Sequence, residues 1–197
     1  MDTVFQIIIL IMSVVVHEVS HGFMARRLGD RTAEYAGRLT LNPIRHIDLW
    51  GSVIVPLILV ISKAGFIIGW AKPVPVNPYN LRNQRWGEAL VAAAGPASNI
   101  VLALVFGLFI RFGLVPFSVL PAVGLIVYIN LILAVFNLVP IPPLDGSKIL
   151  FALLPPRFFH FREILERYGL FFAIIFILFL WQFVSPAVEW LFRIIVG

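Results

Sequence analysis

Cysteine is absent from all 197 residues. A disulfide-stapled secreted fold is therefore excluded, and no thiolate is on hand as a metal ligand. Charged residues are scarce, 13% against about 25% in an average soluble domain, which excludes a disordered chain and a coiled coil. Lysine and arginine leave a net charge of +5, but they fall in short groups between apolar blocks, a pattern that argues against a nucleic-acid partner. What fills the chain is apolar. Hydrophobic residues make up 60% against roughly 45–50% in globular proteins, and mean hydropathy is +0.98. The excess lies in blocks of about twenty residues. The sequence reads as an all-α polytopic membrane protein.

A helix crosses the hydrocarbon layer with about 20 mostly apolar residues. Residues 4–25, 89–110, 119–139 and 164–184 meet that length and predict four transmembrane helices. The first is not a cleavable signal, because Asp2 stands where a basic region would, and Ala25-Arg26-Arg27 offers no small-residue cleavage site. Residues 50–70 form a fifth apolar stretch, whose course follows from the positive-inside rule. If it crossed, seven Lys and Arg would fall on each side, leaving no orientation signal. If it dips in and returns, twelve share one side against Arg111 and Arg193 on the other, with Lys63 in the dip. A re-entrant segment is therefore expected: a short helix over 49–61 capped by Asp48, a turn at 62–65 and an extended return over 64–71. Residues 187–196 are too few to cross and are expected to lie along the interface. Both termini then fall outside, and residues 1–197 read as a single integral-membrane domain with no room for an appended soluble one.

Ionisable groups inside a span are costly and usually mark function. The first span carries VVVHEVSHGF, with His17, Glu18 and His21 in an HExxH pattern. Residues four apart share a helical face, so both imidazoles can point at one ion while Glu18 sits one step round. In zinc peptidases that glutamate takes a proton from the attacking water. The composition yields about 0.002 chance matches per chain, so accident is a poor source. The bland alternative is two histidines bonded to a neighbouring helix, with Glu18 neutralised by burial. Three polar groups together inside a span argue against it.

Catalytic zinc takes three protein ligands and keeps a position open. A third histidine six residues after His21 is missing, because Arg27 stands there. The remaining candidates are Glu34, His46, Asp48, Glu88, Asp145 and His160. Glu34, Glu88 and His160 read as loop or helix-end charges, Asp48 as a cap, and His46 as a loop histidine solvated at the headgroups. Asp145 lies in FNLVPIPPLDG, residues 136–146, directly after the third full span. Pro140, Pro142 and Pro143 cannot continue a helix there. Irregular backbone at membrane depth is tolerated where it is buried in protein or lines a wet cavity. An aspartate on such a break can turn inward, which makes Asp145 the best third ligand; the alternative is an ordinary capping aspartate at a membrane exit.

HEVSH at 17–21, AGPASN at 94–99 and NLVPIPPLDG at 137–146, in this order, resemble the site-2 protease family of intramembrane zinc metalloproteases. GRLTLNPIRHID and GWAKPVPVNP resemble its compact prokaryotic branch, which has no PDZ or CBS domain. The resemblance implies one Zn²⁺ per chain held by His17, His21 and Asp145, with Glu18 as general base. It also implies that Asn137 assists at the substrate carbonyl or oxyanion and that the small residues around Gly95-Pro96 pack helices near the metal. The activity implied is hydrolysis of peptide bonds in or near transmembrane segments of membrane proteins, as in regulated intramembrane proteolysis. Its partners would be those segments and the lipid bilayer. The implied location is the plasma or inner membrane, with the site near the cytoplasmic face. The apolar stretch at 50–70 departs from the family's smallest members.

A helical substrate hides its peptide bonds in its own hydrogen bonds and must unwind to be cut. Residues 37–42 (GRLTLN) and 69–77 (GWAKPVPVN) read as short extended strands near the cytoplasmic face, able to hold an unwound segment by strand addition; surface loops are the alternative. Lys148, Arg157, Arg162 and Arg167 face anionic headgroups on this reading. Two rival functions remain. A membrane metal-ion transporter would also place His and Asp in the bilayer, but beyond the motifs the spans offer Asn99, Asn130 and Gln182 and no second half of a pathway. A non-cleaving, protease-like membrane scaffold would not need the full chemical set.

Overall fold

The computed structural model describes residues 3–62 and 71–197. Four helices are long and apolar enough to cross a membrane: Val4–Arg27, Gln84–Arg111, Phe117–Asn137 and Phe159–Val196. In chain order the α-helices are α1 (Thr3–Arg27), α2 (Thr32–Tyr35), α3 (Val55–Ile61), α4 (Gln84–Arg111), α5 (Leu120–Asn137), α6 (Asp145–Leu153), α7 (Phe159–Ile175) and α8 (Trp181–Val196). The chain is a multi-pass membrane protein by these spans, and the described residues contain no β-strand.

Lipid is as apolar as leucine, so helices in a bilayer associate through close fit rather than hydrophobic exclusion. The fit here centres on α4, which packs against α1, α5, α6 and α8. Its buried face is a seam of small residues, Ala92, Gly95, Pro96, Ala103 and Gly107, with Asn99 in the middle. Ala103 joins Val127 and Leu131 of α5 and Val188 and Ile195 of α8 in the main core. The large apolar side chains point the other way: Ile7, Ile8, Val101, Leu108, Phe171 and Phe183 are exposed, as a lipid-facing surface requires.

The last helix departs from expectation. Residues 187–196 do not form a separate segment. They continue α7 through a π-helical stretch, Phe176–Leu180, into one helix of 38 residues. Val188 and Ile195 are buried in the core, and the Arg111 guanidinium at the end of α4 donates to the Ile194 carbonyl. Ten residues are too few alone, but they inherit a span already begun. At 1.5 Å per residue the whole helix is about 57 Å long, well beyond a hydrocarbon layer of roughly 30 Å.

Between α1 and α4 the chain stays tied to one end of the bundle. The Arg82 N–H donates to the Leu28 carbonyl, so α1 ends where α4 begins. The Lys72 N–H likewise donates to the His46 carbonyl, bringing together the two flanks of the apolar stretch 50–70. Its first limb is helical as expected: a π-helical turn, Leu49–Ile54, leads into α3, and the Asp48 carboxylate accepts from the Gly51 N–H. The expected turn and return limb fall largely on residues 63–70, outside the described residues. Residues 37–42 and 71–77 are irregular rather than paired strands. They are joined by the Arg38 side chain, which donates to the Lys72 and Pro73 carbonyls, rather than by a backbone ladder.

Asp30, which the sequence reading did not single out, locks this connection. It is wholly buried, and its carboxylate accepts from the Thr32 N–H and hydroxyl, the Asn80 amide and the Asn77 N–H. Burial alone raises a carboxyl pKa; these donors outweigh it and hold Asp30 below the ordinary value. A depressed folded pKa means that the stabilisation is complete above the unfolded carboxylate value and is lost as pH falls through the folded one. Asp30→Asn is expected to cost about 1–3 kcal/mol and to speed amide exchange around residues 30–36 and 77–80 at neutral pH. In the wild type the same regions are expected to open on acidification below the carboxylate range, with no comparable acid response in the variant.

Candidate metal centre

α1 presents His17 and His21 one turn apart on the face that meets α4, both buried, with their rings 4.7 Å apart and nearly perpendicular. Each ring is held from behind. The His17 Nδ1–H donates to Asn99 Oδ1 at 2.6 Å and the His21 Nδ1–H to the Val91 carbonyl at 2.7 Å. Asn99 is held in turn: its amide donates to Asn130 Oδ1 at 2.7 Å, and the Asn130 amide donates to the Ser13 hydroxyl and the Ile126 carbonyl. Pro96, which has no N–H, leaves the Ala92 carbonyl without its helical donor, one residue beyond Val91.

These bonds fix the tautomer. With the proton on Nδ1, each neutral ring turns an Nε2 lone pair forward. Asp145 meets them there: its Oδ2 lies 3.1 Å from His17 Nε2 and 3.2 Å from His21 Nε2. It is the first residue of α6, directly after the irregular stretch 138–144 that the three prolines enforce. In that tautomer three acceptors face one another, and a bound cation would satisfy all three. The spacing agrees, since tetrahedral ligands at zinc bond lengths stand about 3.3 Å apart.

Glu18 is the fourth group. A ligand atom of its carboxylate lies within 4.8 Å of those of both histidines, so distance alone would group it with them. Its Oε2, however, accepts the Val74 N–H at 2.9 Å, whereas Asp145 Oδ2 sits directly against both Nε2 atoms. Gly95 closes the back of the centre: a Cβ there would lie 2.6 Å from His17 Nε2 and still closer to His21 Nε2. The α4 backbone can pass this near the rings because that side chain is missing.

The other candidates lie elsewhere. Glu34 pairs with Arg26 and Arg31, and His160 with Glu163, as loop and helix-end charges do. Asn137 is half-buried and its amide donates to the Leu133 carbonyl one turn back. His46 is not solvated: it is 2% exposed, and its Nε2–H donates to the Thr40 carbonyl. A donor spent on a neighbouring loop carbonyl lets the ring be buried where a free imidazole would stay in water. The residues that sequence reasoning passed over are those that back the centre. Asn99 carried a signal, a polar residue on the small-residue seam four positions after Gly95. The Val91 carbonyl and the Val74 N–H are backbone groups and carried none.

Comparison with known proteins agrees with this geometry. The model of peptidase family M50 matches residues 5–116 and 114–180. The chain is 41% identical to the Bacillus subtilis protein named "Putative zinc metalloprotease YwhC" over 189 residues, covering 91% of this chain and 80% of the relative. It is 31% identical to "Putative zinc metalloprotease Rip2" of Mycobacterium tuberculosis, covering 94% of this chain and 69% of the relative. With "Zinc metalloprotease MJ0392" of Methanocaldococcus jannaschii the identity is 25%, covering 87% and 41%. No solved structure matches the chain.

The contact at Gly95 supplies a test. Gly95→Ala is expected to displace the imidazoles and lower bound zinc well below one per chain, measured by elemental analysis of purified protein. Gly124→Ala, whose Cβ would meet only Phe192 Cζ at 3.9 Å, is expected to keep its metal.

Proposed function

The chain belongs to peptidase family M50, and from that premise we propose that it is a site-2-type protease that hydrolyses peptide bonds in or near transmembrane segments of membrane proteins, acting in regulated intramembrane proteolysis. The observation that carries this reading is the convergence of two Nε2 atoms and one carboxylate oxygen beside Glu18, whose own Oε2 is held by the Val74 N–H. Zinc is the cofactor of this zinc metalloprotease family, and the donor set fits it. We assign His17, His21 and Asp145 as its ligands. Bound there, zinc supplies a Lewis acid that polarises the scissile carbonyl and acidifies the attacking water.

The remaining steps fall to the chain. Glu18 accepts the water proton at Oε1, the oxygen that Val74 leaves open, and returns it to the leaving amine. The Asn99–Asn130–Ser13 network holds His17 in the tautomer that offers Nε2. Asn137 can turn its amide from the Leu133 carbonyl to the developing oxyanion; a donor in that role is worth about 3 kcal/mol.

The excess of Lys and Arg at the end where α1 finishes supports a cytoplasmic placement of the site in the cell membrane. The same count supports a re-entrant dip by residues 50–70. Residues 37–42 and 71–77 lie beside the end of α1 that bears the centre, and an unwound substrate segment entering from the membrane would meet them there. The backbone donors of Lys72, Val74 and Asn77 are already engaged, which leaves few donors of this segment for pairing with a substrate.

The test is a matched set in zinc-containing liposomes carrying transmembrane peptides. Glu18→Gln is expected to retain zinc and lose roughly 10²–10⁴-fold in cleavage rate; a rate equal to wild type would remove the base. Asp145→Ala is expected to lose zinc, and full occupancy would remove the third ligand.

A further inference from the structure

Residues 71–77, AKPVPVN, run across the face of α1 that carries the centre. Pro73 and Pro75 have no N–H, so within 73–75 the sole backbone donor belongs to Val74. That donor is spent on Glu18 Oε2 at 2.9 Å. The segment is fastened on both sides of the contact. Upstream, the Lys72 N–H reaches the His46 carbonyl, and the buried Arg38 guanidinium donates to the Lys72 carbonyl at 2.7 Å and to the Pro73 carbonyl at 3.4 Å. Downstream, the Asn77 N–H donates to Asp30 at 2.7 Å. The Val74 side chain is buried and rests on Gly22, the residue after His21, where a Cβ would lie 2.9 Å from Val74 Cγ1. A segment anchored this way cannot retreat from Glu18 without breaking bonds to three other parts of the connection.

A glutamate side chain has three rotatable bonds and, left free, spreads over many rotamers. One fixed donor on Oε2 selects a rotamer and leaves Oε1 as the oxygen that can face a proton. An amide N–H is a neutral donor that keeps its own proton, so the contact can persist through a proton-transfer cycle. We propose that Val74 is a positioning residue, its backbone N–H holding Glu18 in the orientation for proton transfer while Pro73 and Pro75 keep competing donors away. This rests on Glu18 being the base.

The test removes one hydrogen bond at a time. Replacing the amide at position 74 by an ester, through the α-hydroxy analogue of valine, deletes the N–H and keeps the side chain; the same replacement at position 72 deletes the bond to His46 from the same segment. In the liposome assay the ester at 74 is expected to lower kcat about tenfold or more, since small misplacements of a reacting group cost that much. KM and zinc content should hold, and the ester at 72 should change kcat less than threefold. A wild-type kcat for the ester at 74, or an equal loss at both positions, overturns the proposal. A second readout needs no turnover: in Glu18→Ala, amide exchange at Val74 is expected to quicken at least tenfold relative to wild type, and an unchanged rate overturns the contact itself. Cleavage that survives Glu18→Gln refutes the base, whereas an inert ester at 74 with an inactive Glu18→Gln refutes only the positioning.

Discussion

With Nδ1 of each ring committed behind it, two imidazole Nε2 atoms lie 3.1 and 3.2 Å from one carboxylate oxygen in a low-dielectric interior, where a positive charge between them stabilises the group. Most of the surrounding structure can be read as what keeps those atoms aimed at one point. His17 would turn its ring over if Asn99 did not hold Nδ1, and Asn99 would be a buried amide without a fixed partner if Asn130 and Ser13 did not hold it. The chain of bonds crosses from α1 to α4 to α5 and back to α1. Registry among three membrane helices is thereby tied to the orientation of a single ring.

Asp145 reaches the same point by a different device. The third span ends at Asn137, and prolines carry the chain through an irregular turn before α6 starts on the aspartate itself. A short helix that begins at a ligand needs its other end fastened. Arg85, in the first turn of α4, donates to the Ala152 and Leu154 carbonyls at the far end of α6. These are groups that a helix C-terminus leaves unpaired. The contact places a cation where the α6 dipole favours one. The ligand and its clasp sit at opposite ends of nine residues.

The spans and the centre were legible in the sequence because each rests on a pattern with a strong physical cause. Twenty apolar residues have few other uses, HExxH encodes a helical face, and three prolines before an aspartate force a break where a break is expensive. The errors have causes as well. Residues 187–196 look too short to cross because a hydropathy reading stops at Gln182, Ser185 and Pro186, whereas the helix runs through them, with Gln182 and Ser185 donating to carbonyls three residues back. His46 looks like a solvated loop residue because its partner is a backbone carbonyl six residues back, which composition does not encode. Residues 37–42 and 71–77 alternate as strands do, yet the prolines at 73 and 75 remove the donors that a paired strand needs. Asp30 escaped notice because its partners arrive from 47 and 50 residues downstream.

The two carboxylates at the centre divide their labour by what holds them. On the proposed assignment the neutral imidazoles add no charge, and Asp145 and Glu18 together would balance a divalent cation, a neutral sum that suits a site at membrane depth. If both were ligands, none would remain to take a proton; if neither were, the charge would stand alone. Asp145 is delivered to the metal side by a helix start that cannot shift without dragging α6 from its Arg85 clasp. Glu18 shares a turn with both histidines and would drift toward the same cation if nothing opposed it. The Val74 N–H is the opposing group, and it arrives on a connection outside the spanning bundle, fastened there by Asp30 and Arg38. On the proposed assignment the membrane helices bring the three ligands together, while the carboxylate assigned to proton transfer is held by a loop.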